Sequence, residues 1–140
     1  METRKKFVKA GMLALMVACL PSLLMAQKEF RKWPKGCSPQ EVGELVSQRF
    51  VAVPHPNFNG NPAPPNEITY PETCAWFGAL RYAHITKNKK LLRQLEERFL
   101  PIFGPERRLQ PLPDHVDHTV FGTIPLQLYA QTGKEISLGG

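Results

Sequence analysis

The stretch PDHVDHTVFG sets Asp114, His115, Asp117 and His118 within five residues, at the opening of an apolar segment of helical spacing. A carboxylate there can accept hydrogen bonds from a ligand or move a proton, and an imidazole changes charge near neutral pH. Three readings of the cluster compete. Asp114 or Asp117 caps the helix, facing its positive dipole end, while the histidines stay solvated. Alternatively the group holds a metal ion, although neighbours on one turn seldom converge on one ion and no distant His pair stands out. The third is an acid/base or substrate-binding carboxylate at the mouth of a helical cavity.

Trp33, in WPKG before the first helix, is less constrained than aromatics at helical spacing and can stack on a sugar face. Trp76 and Phe77 lie at helical spacing and read as core. His55 reads as a solvated loop residue and His84 as part of a polar helix face.

The elements that must position these groups read as helices. Ser38 is a cap, Pro39 a first helical residue and Glu41 the third, and Val42, Leu45, Val46 and Phe50 follow on one face. VPHPNFNGNPAPPNEIT is too rich in Pro, Asn and Gly to be helix interior or central strand, so it is a long loop. Thr69 and Glu72 suggest a capping box for a helix bearing Trp76, Phe77, Leu80 and Ala83. Asn88 caps a third helix with Leu91, Leu92, Leu95 and Phe99 inside and Arg93, Glu96, Glu97 and Arg98 in water. A fourth starts near Asp117, carries Val120, Ile124 and Leu128, accommodates Pro125 by bending or starting late, and ends at Gly133. Tyr82-Ala and Tyr129-Ala each lead through a Thr and a polar turn to a new apolar segment, the mark of stacked helical hairpins.

Residues 1–26 read as a secretory signal peptide: basic residues, a short apolar run broken by Pro21, then Ala26. Cys19 lies in a poor lipobox, so no stable membrane anchor is expected after cleavage. Cleavage removes four basic residues and one acidic, lowering the formal charge from +6 to +3. With no Lys/Arg stripe interleaved with aromatics, nucleic acid is not an expected partner. Cys37 and Cys74 read as two separately buried thiols rather than a disulfide.

WPKGCSPQEVGELVSQRF, ITYPETCAWFGALRYAHITKNKKLLRQLEERF, IFGPERRLQPLPDHVDHTVFG and IPLQLYAQTG, in that order, resemble the N-terminal part of glycoside hydrolase families 88 and 105, the unsaturated glucuronyl and unsaturated rhamnogalacturonyl hydrolases. The resemblance covers nearly all of residues 27–140 and is most specific from Pro113 to Gly133. It implies an all-α fold, the first third of an (α/α)6 barrel of helical hairpins. It also implies a periplasmic or secreted enzyme acting on oligosaccharides that end in a Δ4,5-unsaturated uronic acid, with neither metal nor organic cofactor. Such enzymes hydrate the C4=C5 vinyl ether: an Asp protonates C4 and activates water for C5, and the hemiketal falls apart.

The resemblance places the first of two active-site Asp residues at Asp117, with the role of orienting the sugar ring; His115 beside it and Trp33 are read as substrate-binding residues. The second Asp belongs to a later motif that this sequence does not contain, so the chain is expected to be a fragment and inactive alone. The rival reading is a non-enzymatic periplasmic helical-repeat module that binds a glycan or a peptide.

Overall fold

The computed structural model describes residues 32–55 and 65–135. The expected signal peptide, most of the Pro/Asn-rich loop and the end of KEISLGG lie outside the described residues. The chain divides into two compact units, residues 1–38 and 39–140. In the first, residues 32–38 form a turn in which the Cys37 N–H donates to the Pro34 carbonyl (3.0 Å) and Gly36 takes φ +83°.

Every regular element described in the second unit is helical, which gives the expected all-α class: α1 (Pro39–Ala52), α2 (Tyr70–Thr86), α3 (Lys89–Phe99), α4 (Val116–Thr119) and α5 (Thr123–Thr132), with tighter 3-10 turns at Leu100–Phe103, Arg107–Leu109 and Val120–Gly122. α2 is the central helix. It packs on α1, α3 and α5, and Trp76, Ala79, Leu80 and Ala83 are its buried residues of the core. Around it, Leu91, Leu95, Phe99, Ile124 and Leu128 are each at most 1% exposed. Full burial of one such side chain contributes about 1.5–3 kcal/mol.

Local chemistry sets the helix limits. Asn88 caps α3 as expected, its side chain accepting from the Leu91 N–H (3.0 Å). The α2–α3 turn is tight: Lys87 is left-handed (φ 55°), and the Asn88 N–H returns to the Ala83 carbonyl at 2.9 Å. Gly133 ends α5 in the left-handed region, φ 69°. Pro125 is tolerated because the helix starts late: it is the third residue of α5, where no intrahelical N–H is required. α2 and α5 run in the same direction. Asp117 acts on Tyr70 at one end, and toward the other Gln131 donates to the Leu80 carbonyl (3.2 Å).

Several expectations are corrected. α1 does not bury Val42, Leu45 and Val46, which are 44%, 65% and 60% exposed; it turns inward Ser47 and Phe50. Gly43 explains the rotation. The Tyr82 ring lies so close that a methyl at Gly43 would sit 2.5 Å from Cε2, and the Tyr82 hydroxyl donates to the Gln40 carbonyl (2.9 Å). Close approach over a bare backbone therefore selects the buried face ahead of the larger apolar side chains. Phe77 is not core but 37% exposed, and Cys37 and Cys74 are free, exposed thiols rather than buried ones.

The Thr69/Glu72 capping box does not form, because Glu72 is used elsewhere. Wholly buried, it accepts from Arg98 Nη2 (2.9 Å) and lies 2.5 Å from His55 Nδ1. Neither Arg98 nor Glu96 is in water. Arg98 Nη1 also donates to the Val53 carbonyl (2.5 Å), and its guanidinium stacks 4.5 Å from the Phe50 ring and 5.5 Å from that of Trp76. Glu96 is held by Lys134 Nζ at 2.7 Å. Breaking one member of a buried pair strands its partner's charge, so Glu72→Ala should lower stability by about 3–5 kcal/mol. Loss of the Asn88 cap in Asn88→Ala should cost about 1 kcal/mol. Denaturant unfolding of the two variants checks both magnitudes.

Candidate functional site

The structure brings Asp117 and His115 together on α4. His115, not an aspartate, is the cap: its Nδ1 accepts from the Asp117 N–H (3.2 Å), which leaves the ring proton on Nε2. Thr119 Oγ1 donates to the His115 carbonyl (2.9 Å) and closes the turn. The Asp117 carboxylate is not spent on capping. It is 56% exposed, with His115 Nδ1 3.7 Å from Oδ2.

Asp117 faces α2. The Tyr70 hydroxyl is raised above the usual phenol value, first by its hydrogen bond with Cys74 and the charge there, then by burial and by the charge of Asp117. Sequence reasoning missed Tyr70, since nothing local marks it. The exposed carboxylate of Asp117 can accept from sugar hydroxyls, and the Tyr70 ring, 46% exposed, can cover an apolar sugar face. Trp33, the other expected contact, is 46% exposed and belongs to the first unit.

Asp114 and His118 form a second pair. His118 Nδ1 donates to Asp114 Oδ1 (2.7 Å), and its Nε2 faces Glu67 at 3.8 Å, so His118 is not a free solvated side chain. The hydrogen bond holds Asp114 below the usual carboxylate range and raises His118 above the usual imidazole value. His118 also lines a cleft of about 220 Å3 walled by Phe99, Phe103, Phe121, Pro111 and Pro125.

A second cleft, of about 300 Å3, lies beside the buried Glu72 and is lined by His55, Arg98, Glu106 and Arg108. His55 was expected in solvent; its side chain is 9% exposed, with Nε2 3.3 Å from Glu106 Oε2. The burial follows from two carboxylates on opposite sides of one ring. No group of three His, Cys, Asp or Glu able to hold a metal occurs among the described residues, and no described helix is long and apolar enough to cross a membrane. Comparison of the chain with known families, curated proteins and solved structures finds no match.

The Asp114–His118 pair makes a pH-dependent contribution of known sign. Asp114, depressed when folded, stabilises above the ordinary carboxylate range, and this is lost as pH falls through its lowered value. His118, raised when folded, stabilises below the ordinary imidazole value, and this is lost as pH rises through its raised value. Asp114→Asn should therefore return the His118 titration, followed by NMR, toward the ordinary imidazole value; an unchanged midpoint would show that Asp114 does not hold the ring.

Proposed function

We propose that residues 27–140 form the first helical hairpins of an (α/α)6 barrel of the unsaturated glucuronyl or unsaturated rhamnogalacturonyl hydrolase type, exported to the periplasm or secreted. On this reading the hydrolase acts by hydration of the C4=C5 bond of terminal unsaturated uronic acids. The architecture supports it through the parallel run of α2 and α5 with α3 returning between them in sequence, the repeat that successive hairpins generate.

The observation that carries the reading is the exposed carboxylate of Asp117, left outside the capping hydrogen bond that the His115 ring makes. His115 takes over the capping that would otherwise engage an acidic side chain, and so leaves Asp117 for a ligand. Its proposed role is to orient the uronyl ring by accepting hydrogen bonds from ring hydroxyls. Protonation of C4 is assigned to the second Asp that the resemblance calls for, which these residues do not include.

Binding and turnover should accordingly separate. The chain should bind the methyl glycoside of Δ4,5-unsaturated uronic acid by calorimetry, and Asp117→Asn should weaken binding about tenfold, the loss of roughly one charge-assisted hydrogen bond. The absorbance of the unsaturated uronyl chromophore should stay constant. Equal affinity of wild type and variant would remove Asp117 from the site, and turnover would place the proton donor within this chain.

A further inference from the structure

We infer that the cleft lined by Arg98 and Arg108 is a binding site for a small carboxylate with an apolar body. Neither Asp117 nor His115 lines it, and it is independent of the sugar proposed at Asp117.

Two guanidiniums supply the charge, and only one of them is balanced. Arg98 meets the buried Glu72 at 2.9 Å, and Glu72 also meets His55. Glu106 is turned to His55, its Oε2 3.3 Å from Nε2. Arg108 has no carboxylate partner among the described residues: Nη1 donates to the Pro65 carbonyl (3.0 Å), and the Nε–Nη2 edge of its fork stays open. That edge matches the two oxygens of a carboxylate. Arg98 brings a second open donor. Its side chain is 9% exposed and lines the cleft, and its buried Nε–H has no hydrogen-bond partner among the described residues. A buried donor of this kind calls for an acceptor.

The backbone that carries Arg108 is held before any ligand arrives. The Leu109 N–H donates to the Glu106 carbonyl (2.8 Å), the Leu109 carbonyl accepts from the Ile68 N–H (2.8 Å), and the Leu109 side chain is buried in the core. With its Nη1 already anchored, the guanidinium loses little freedom on binding.

The remaining walls select the body of the ligand. Pro54, Pro65, Pro101 and Leu109 present CH groups, and a proline has no N–H to offer. The Pro65 carbonyl is taken by Arg108, and that of Pro101 by the Gly104 and Glu106 N–H groups (both 2.9 Å). Sugar hydroxyls laid on these walls give up water without finding a partner, whereas a hydrocarbon ring is simply covered. The volume of about 300 Å3 has room for a single ring and its carboxylate. Glu106, 40% exposed at the same cleft, repels a further negative charge and restricts the ligand to a monoanion.

The test titrates the full chain with cyclohexanecarboxylate and with glucuronate, a ring of similar size and equal charge covered in hydroxyls. Binding is read by NMR from the buried Arg98 Nε–H, so occupancy near Asp117 does not enter the measurement. Cyclohexanecarboxylate should shift this resonance saturably with a Kd on the order of 1 mM, and glucuronate should bind about tenfold more weakly or worse. Arg108→Ala should weaken cyclohexanecarboxylate binding about tenfold, the scale of one charge-assisted hydrogen bond. Arg108 is exposed and holds only the Pro65 carbonyl, so its loss leaves the fold in place. Glu106→Gln should tighten binding about threefold by removing the opposing charge. Absence of a saturable shift, equal affinity for the two acids, or an affinity unmoved by Arg108→Ala overturns the site, and none of these results bears on Asp117.

Discussion

A fully buried carboxylate organises this molecule. Glu72 lies fully buried in the first turn of α2, where Arg98 and His55 both meet its Oε1. Arg98 comes from the end of α3, and His55 from the chain leaving α1. One acid therefore ties three segments together at a single end of the bundle. The same Arg98 spreads its guanidinium over Phe50 and Trp76, joining the charge cluster to the aromatic core without an apolar gap.

From that junction the core runs outward as a chain of rings. Trp76 meets Phe50 at 5.7 Å and Phe99 at 5.9 Å, and Phe99 in turn meets Phe103 and Phe121. Phe121 belongs to the turn that links α4 to α5, so the placement of α4 depends on packing that begins at Trp76. The proposed site lies at the far end of this chain. α4 has only four residues and buries none of them, and it is kept in place by the rings beneath it and by the His115 and Asp114 hydrogen bonds on either side of Asp117. A reactive or ligand-binding carboxylate can stay exposed there because its neighbours supply the local polar partners.

The sequence made legible what depends on a few neighbouring residues. Pro39, Asn88 and Gly133 mark helix limits through backbone geometry and short-range hydrogen bonds, and these marks hold in the structure. Illegible were the choices decided by distant partners. Glu72 has the spacing of a capping residue and is drawn inward by an arginine 26 residues away. Val42, Leu45 and Val46 make the stronger apolar stripe on α1, yet Gly43 wins because Tyr82, far along the chain, needs a bare backbone to lie against. At the site, the cluster of ionisable residues was visible from type and spacing alone. The division of labour within it was not, since a histidine cap competes locally with two aspartates and only the path of the chain decides between them.

The most direct test of the account is a crystal structure of the chain grown with an oligosaccharide ending in Δ4,5-unsaturated uronic acid. The account predicts the unsaturated ring against Tyr70, with its hydroxyls within hydrogen-bond distance of the Asp117 carboxylate. A sugar seated instead in the cleft lined by His55 and Arg108, with Asp117 left in solvent, would contradict it.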